Sequence, residues 1–372
     1  MRYRIRPCSL VSVLPVVIPI VFAGASGCTV LAPDDETLTV VFYNVENLFD
    51  ETLDGTEYDD FTPEAGWDGE DVADRLERLG NALESIDPAP DIITLSEVEN
   101  DAIFDRIFDD YFVDVPFQYR VFSSNAGGAT GVAIASRYPI VGVRTLQARA
   151  GETPPLRPVI EARIALAETE LVVFVNHWKS KRGGGASTEA LRRASARLVG
   201  TRLAELHAEE PRTPVLLCGD FNEGPRELDL VDGVYQTAFI PAEDLLEWRH
   251  DAEGAPEWYS GDPGIAESIL IASTAEEATE LSGGLGRPVM IDGWHRRPGD
   301  GSYWYFDHWE QIDQILMNPA AAAGEYLSRI DFSPVRTPEI SDENGRPVSW
   351  FDDRSGVSDH LPVMLELSMP FD

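Results

Sequence analysis

Apolar residues along this chain follow two rhythms, one of period two and one of period 3.6, and the rhythms alternate. Residues 38–43 (Leu-Thr-Val-Val-Phe-Tyr) are β-branched and aromatic, which predicts a first strand. Val72, Leu76, Leu79, Leu83 and Ile86 recur at helical spacing, and Pro88 and Pro90 stop that helix. Residues 91–97 predict a second strand ending in an acid. Residues 113–122 and 131–136 predict two more, with a turn at Gly127 and Gly128 between them. Residues 159–166 and 170–175 read as a hairpin. A long helix over about 188–208 carries Leu191, Leu198, Leu203 and Leu206 as its apolar stripe. The run from Val215 to Cys218 predicts a short buried strand that ends at Gly219, before the turn-rich Asn222, Gly224 and Pro225. Residues 226–300 are rich in Gly, Pro, Trp and acids, and are expected to be an irregular insertion over the active face. Order returns at 304–316, around Phe332 and over 358–367. There is no fixed-period repeat and no linker-like break, so 38–369 is expected to be one domain of α/β (α+β) class.

The first 27 residues have the pattern of a targeting segment. Arg2, Arg4 and Arg6 precede an apolar stretch from Leu10 to Phe22, and small residues follow at 23–27. Ala25-Ser-Gly-Cys28 resembles a bacterial lipobox, with Ala25 where Leu is usual. That resemblance implies lipidation at Cys28, a tether over 28–37 and, from Thr29, sorting to the outer membrane. The expected location is therefore the cell envelope, with secretion as the alternative, and the expected state is a monomer. Of the three cysteines, Cys8 would leave with the signal and Cys28 would be acylated, leaving Cys218 as a buried apolar residue and no disulfide framework.

Charge changes the picture further. Lys+Arg is 29 against Asp+Glu 65, a formal net charge of −36; loss of Arg2, Arg4 and Arg6 with the signal would make it −39. Such acidity repels polyanions at long range and argues against a non-specific DNA binder, which needs many cation–phosphate contacts.

Polar clusters fall where the strand patterns stop: Asn44 and Glu46, Glu97, Asn176 and His177, Asp220 and Asn222, and Asp313. Asp359 and His360 precede a strand instead. On extended backbone, Asp220 and Asn222 point the same way, which suits a water or phosphate near a hard cation and equally suits a strand-ending Asx turn. Carboxylates with an amide oxygen are ligands for Mg²⁺ or Mn²⁺, and no Cys/His zinc spacing is present. Lys179, Lys181 and Arg182 form the main basic cluster beside a motif, placed to hold an anionic substrate.

The segments Asn44-Val-Glu-Asn, Leu95-Ser-Glu-Val-Glu, Asn176-His-Trp, Gly219-Asp-Phe-Asn, Ile312-Asp-Gln-Ile-Leu and Ser358-Asp-His-Leu-Pro-Val are similar, in this order, to the endonuclease/exonuclease/phosphatase superfamily. This is the group of pancreatic deoxyribonuclease, base-excision endonucleases, sphingomyelinases and inositol-polyphosphate phosphatases, and the chain looks like its bacterial exported or lipoprotein branch. The resemblance spans about residues 38–367. It implies a four-layer α/β/β/α sandwich of two mostly antiparallel sheets flanked by helices. It implies that Glu97 is the principal metal ligand, with Asn44, Glu46 and Asp359 near it. Asp220 and Asn222 would orient the attacking water, and His360, held by Asp313, would contact the phosphate. His177 matches the second histidine of the deoxyribonuclease-like members, with Asn176 beside it; Glu161, on the adjacent strand, is a candidate acidic partner.

The expected activity is hydrolysis of a phosphodiester with Mg²⁺ or Mn²⁺, with nucleic acid as first substrate class and a phospholipid or small phosphoester as second. The second class fits the acidity, and the aromatics of the later chain (Trp248, Trp258, Tyr259, Trp294, Tyr303, Trp304, Tyr305) could face such a substrate or form core. A surface-anchored binding protein without catalysis would require a degenerate site, and no key residue is missing.

Overall fold

Strand β1 (Thr37–Leu48) shows how the layers arise. Its Leu38, Val40 and Phe42 join one buried apolar cluster, and its Val41, Tyr43 and Val45 join another. Successive side chains of a strand point to opposite faces, so a strand apolar on both faces is covered on both. The computed structural model describes residues 37–369 apart from 152–153, 252–253, 262–264 and 266. The expected signal segment, Cys8, Cys28 and the tether up to residue 36 lie outside the described residues.

The first sheet has the order β15 (Ser328–Pro334), β16 (Val363–Ser368), β1, β2 (Ile92–Val98), β4 (Gly131–Ser136) and β3 (Tyr119–Ser123). The second has the order β5 (Ile140–Gln147), β6 (Pro158–Ala165), β7 (Glu170–His177), β8 (Val215–Asp220), β14 (Asp313–Met317), β11 (Val289–Ile291), β10 (Ile269–Ala272) and β9 (Phe239–Pro241). A separate hairpin joins β12 (Tyr303–Tyr305) to β13 (His308–Glu310). Both sheets are mixed. The pairs β1/β2, β7/β8, β9/β10 and β10/β11 are parallel, and the antiparallel pairs outnumber them.

The core between the sheets takes Val40, Phe42 and Ile92 from one side and Val173, Val175, Leu216, Cys218 and Ile315 from the other. Helices α1 (Gly69–Glu84) and α2 (Asp101–Tyr111) cover the outer face of the first sheet through Val72, Leu76, Ile103 and Phe104. Helix α3 (Gly185–Glu209) covers the outer face of the second through Ala196, Val199, Leu203 and Leu206. This is the expected four-layer α/β/β/α sandwich. The other α-helices given in full by the described residues are short: α4 (Glu227–Leu230), α5 (Ala242–His250), α6 (Ala275–Leu285), α7 (Pro319–Ala323) and α8 (Trp350–Asp353). No helix among the described residues is long and apolar enough to cross a membrane.

Several sequence expectations need correction. Residues 226–300 are not an irregular cover over the active face: they supply β9, β10 and β11, which widen the second sheet, and α5 and α6, which pack on the core there. Each strand is only three or four residues long, too short to show a period. Residues 113–118 are not strand, since Pro116 breaks the run and Val113 is exposed. Trp248 and Trp294 are buried core, and Trp258 and Tyr259 pack against it.

The buried stripe of α3 is also displaced. Arg192 and Arg202 are buried while Leu191 and Leu198 are half-exposed. Arg192 is fully buried and satisfied by Glu189, Glu223, Thr188 Oγ1 and the carbonyls of Lys179 and Gly185. Arg202 holds Glu161 with two bonds of 2.9 and 3.0 Å. Val159, two residues from Glu161 on β6, packs on the α3 side, whereas Val175, two residues before His177, packs between the sheets. Glu161 is therefore a structural ion-pair acid on the opposite face from His177, not its partner. Glu161→Gln is expected to cost about 2 kcal/mol, because it removes the charge from two buried Arg202 bonds while Glu205 still meets the guanidinium at 2.8 Å. Chemical denaturation checks this; a loss below about 0.5 kcal/mol would show the pair to be dispensable.

Candidate active site

The period of two that builds the inter-sheet core also aims the site. On β7 the inward residues Leu171, Val173 and Val175 lead to His177; on β8, Leu216 and Cys218 lead to Asp220; on β14, Ile315 and Met317 lead back to Asp313. Asp313 opens its strand rather than ending it, because β14 is antiparallel to β8 and pairs Asp313 with Asp220. On β1, Val40 and Phe42 lead to Asn44. Four side chains from four strands therefore stand at one rim of the inter-sheet core. Gly219 allows β7 and β8 to approach there, since a Cβ on it would lie 2.6 Å from the Asn176 carbonyl oxygen.

Two strands break their pattern at this rim. The register of β1 shifts between Asn44 and Leu48, where Glu46 and Asn47 take φ of 50° and 56°. The register of β2 shifts between Ser96 and Val98, where Glu97 has φ of 66°. Such bulges re-aim a side chain, and positive φ on these residue types marks a locally constrained backbone. Arg75, buried on the apolar stripe of α1, braces the first bulge by donating to the Val45 and Glu46 carbonyls at 2.7 and 2.8 Å, and to Val357 at 2.7 Å.

Asn44 is the hub. Its Nδ2 lies 3.3 Å from Glu97 Oε1, 3.1 Å from Asp220 Oδ2 and 3.5 Å from His360 Nε2. The Asn47 N–H donates to Glu97 Oε2 at 2.9 Å. Glu46 accepts from Ser349 Oγ at 2.7 Å and from the Asp359 N–H at 3.1 Å. His360 Nδ1 lies 2.7 Å from Asp313 Oδ2, which also accepts from Ser302 Oγ at 2.6 Å. His177 Nε2 faces Glu97 at 3.5 Å and Asp220 at 3.7 Å, while its buried Nδ1 has no hydrogen-bond partner.

These surroundings drive the two histidines apart. Burial, then the nearby Arg157, His360 and Lys179, lowers His177 well below the usual histidine range, so its ring is neutral. Burial also opposes charge on His360, but Asp313, Asp359 and Asp220 outweigh it and hold the ring as imidazolium. Burial, then Asp313, lifts Asp220 to about 7; burial, then Asp359, lifts Glu46 to about 8. Carboxylates this crowded favour a hard cation among them, and Glu97, Glu46 and Asp359 supply oxygen donors for one; Asn44, expected as a ligand, instead turns its Nδ2 to the carboxylates while its Oδ1 accepts from the Glu46 N–H at 3.0 Å. Oxygen or nitrogen atoms of Asp220, Asp313 and His360 also lie within 4.8 Å of one another. The short Nδ1–Oδ2 contact, however, commits His360 and Asp313 to each other.

Other expected site residues take different places. Asn222 does not continue the strand: φ turns to 52°, its N–H donates to Asp220 Oδ1 at 2.8 Å, and its Nδ2 donates to the Trp178 carbonyl at 3.3 Å. The Asx turn and the position beside Asp220 are thus both present. Asn176 is fully buried between the Phe174 and Cys218 carbonyls and the Trp178 indole, so it braces β7 and β8 rather than facing a substrate. Lys181 is held by Glu227 at 2.7 Å, with Glu310 at 3.9 Å. Lys179 is half-buried and Arg182 exposed.

Sequence reasoning missed Arg75, Ser302, Ser349 and Arg157, and did not place Tyr303. The Tyr303 ring lies over His360 at 4.7 Å, and Arg157 donates to the Trp178 carbonyl at 3.1 Å. A cation on the apolar stripe of α1 is a signal that could have found Arg75; the rest lie in loops or at strand starts without a pattern. A cavity of about 310 Å³, lined by Leu203, Leu206, Val289 and Met290 among others, opens at the opposite end of β8 from Asp220 and includes none of these residues.

The model of the Endonuclease/Exonuclease/phosphatase family matches residues 39–239. Among solved structures, TDP2 from D. rerio humanized by 14 mutations is 14% identical, with a TM-score of 0.50 over 90% of this chain and 100% of that one. D. rerio TDP2 complexed with single-strand DNA product gives the same figures. TDP2 from C. elegans is 13% identical, with a TM-score of 0.51 over 89% of this chain and 75% of that one. These likenesses show a shared fold. A search of curated proteins finds no match.

The raised carboxyls make cation binding a proton-releasing event. Between pH 6 and 8 the affinity for Mg²⁺ is expected to rise, by up to about tenfold per pH unit for each proton displaced, and to flatten above the Glu46 value of about 8. Calorimetric titration of chelator-stripped protein in buffers of different ionisation enthalpy reads the protons released; none released at pH 6.5 would place the cation away from Glu46 and Asp220.

Proposed function

This chain belongs to the endonuclease/exonuclease/phosphatase family, and we propose that it is a divalent-metal-dependent phosphodiester hydrolase acting first on nucleic acid. The observation that carries this reading is the Asn44 amide, which meets Glu97, Asp220 and His360 within 3.5 Å although the four residues come from distant parts of the chain. Glu97, Glu46 and Asp359 would hold Mg²⁺ or Mn²⁺, with the Asn44 amide bracing Glu97 beside them; when bound, the ion supplies positive charge toward the phosphoryl oxygens.

The chain's own residues do the rest. Asp220, with Oδ1 tied to the Asn222 N–H and a carboxyl poised near neutrality, orients the attacking water and takes its proton. His360 Nε2, charged and held through Nδ1 by Asp313, donates to a non-bridging phosphoryl oxygen. His177 Nε2 faces Glu97 and Asp220 as a neutral hydrogen-bonding group. Lys179 and Arg182 remain the candidate substrate cations, joined by Arg157.

A nucleic acid substrate is supported by the aromatic hairpin beside His360. Tyr303 and Tyr305 stack at 5.9 Å, and Tyr305 and Phe306 are 45% and 80% exposed, a ledge on which unpaired bases can stack. The single-strand DNA product bound to D. rerio TDP2 is consistent with such a substrate. The net charge of −36 favours a second reading, a lipid or small phosphodiester. Export, with acylation at Cys28, is also proposed, on the N-terminal sequence alone; Cys28→Ser is expected to move the protein from the membrane to the soluble fraction.

The test compares a single-stranded oligonucleotide with bis-(p-nitrophenyl) phosphate, with and without chelator. His360→Ala is expected to lower turnover of both by about 10² to 10⁴; full retained activity would remove His360 from the mechanism. Replacing Tyr305 and Phe306 by Ala is expected to lower kcat/KM for the oligonucleotide by about 5- to 100-fold while sparing the small diester. Equal effects on both, or cleavage of the small diester alone, would favour the second reading.

A further inference from the structure

A second group of oxygen donors lies beyond the candidate active site, in the loop that follows β1. A carboxylate oxygen from each of Asp54, Glu57 and Glu99 falls within 4.8 Å of the others. The loop 50–57 is folded to present them. Asp54 accepts from the Thr56 N–H at 3.0 Å and Thr56 Oγ1 at 2.6 Å, and Glu57 accepts from the N–H groups of Asp54 and Gly55. Glu99 Oε2 accepts from the Asp50 N–H at 2.7 Å and Asn100 Nδ2 at 3.2 Å; the same amide donates to Asp50 Oδ2 at 2.9 Å.

Acidic residues often sit together on a surface without a ligand. What differs here is Glu99: it is 4% exposed, and its Oε1 has no hydrogen-bond partner. A buried carboxylate oxygen without a donor is costly unless a cation or a proton meets it. Among the described residues, no Lys, Arg or His forms an ion pair with Asp54, Glu57 or Glu99. The neighbouring Arg106 pairs with Glu51 instead.

We propose that Asp54, Glu57 and Glu99 form a second cation site that takes Ca²⁺ and has a bracing role distinct from the chemistry at Glu97. Oxygens about 2.3–2.6 Å from Ca²⁺ can lie up to about 5 Å apart, which accommodates this group. Waters complete the shell on the exposed side of the loop, where Asp54 lies. Mg²⁺ demands a smaller, near-octahedral set and releases water reluctantly, so a loop ligand set open on one side favours the larger ion. Placement gives the ion its role. Glu99 is two residues beyond Glu97 on one chain segment, and Asp50 is three beyond Asn47, whose N–H holds Glu97 Oε2. An ion at Glu99 ties the ends of β1 and β2 together just behind the bulges that aim Glu46 and Glu97.

The test adds Ca²⁺ to chelator-stripped protein in excess Mg²⁺, so that the cluster at Glu97 is already supplied. Thermal unfolding is followed together with the fluorescence of Trp67, whose indole donates to the Asp50 carbonyl at 2.9 Å. Wild type and Glu97→Gln are both expected to gain about 4 °C or more at a hundredfold excess over Kd. Asp54→Asn and Glu99→Gln are expected to lose most of that gain. If Glu99→Gln does not fold, Asp54→Asn, on the exposed loop, decides. No Ca²⁺-dependent shift in wild type, or a shift lost in Glu97→Gln and kept in Asp54→Asn, overturns the proposal.

Discussion

Like charges must be held close together at an open rim, and much of this molecule is arranged to meet that constraint. Glu46, Glu97, Asp220, Asp313 and Asp359 would separate if their backbones were free to move. They are prevented by neutral and cationic braces behind them: the Asn44 amide between Glu97 and Asp220, Ser349 on Glu46, Ser302 on Asp313, and Arg75 under the β1 bulge. The bulges themselves are part of the same arrangement. A regular β2 would direct Glu97 to the outer face with Ile93 and Leu95, and the left-handed backbone at Glu97 turns it back.

Two histidines that share Asp220 as a neighbour carry different charge because different groups lie behind them. Asp313 stands behind His360, whereas Arg157 and Lys179 stand near His177. One ring is thereby a charged donor and the other a neutral one, a division of labour set by surroundings rather than residue type. At ordinary ionic strength fields are screened within about 10 Å, so the cations near His177 act locally.

Much of this was legible in the sequence. The segments 131–136 and 215–218 read directly as strands because both faces are apolar, and Asn44, Glu97, His177, Asp220, Asp313, Asp359 and His360 were all picked out where apolar patterns break. What failed did so for identifiable reasons. Asn176 is one residue out of phase with His177, so it points away from the rim. Glu161 and Lys181 found nearer ion-pair partners in Arg202 and Glu227. The stripe of α3 was misplaced because buried arginines count as polar in any periodicity argument. The strands within 226–300 were too short to register, and Ser302, Ser349 and Tyr303 act only through tertiary contacts.

The strand order of the first sheet has a consequence for how the protein comes into being. Strand β16 lies between β15 and β1, so among the described residues the earliest strand is paired on one side by the latest. The Ser358 hydroxyl, 314 residues along the chain from Asn44, donates to the Asn44 carbonyl. Contacts of such separation form only after a long loop has closed. On a ribosome, Asn44, Glu46 and Glu97 therefore emerge long before Asp313, Asp359 and His360, and a nascent or prematurely terminated chain carries an incomplete site. The topology makes completion of the segment through β16 the condition for a finished site.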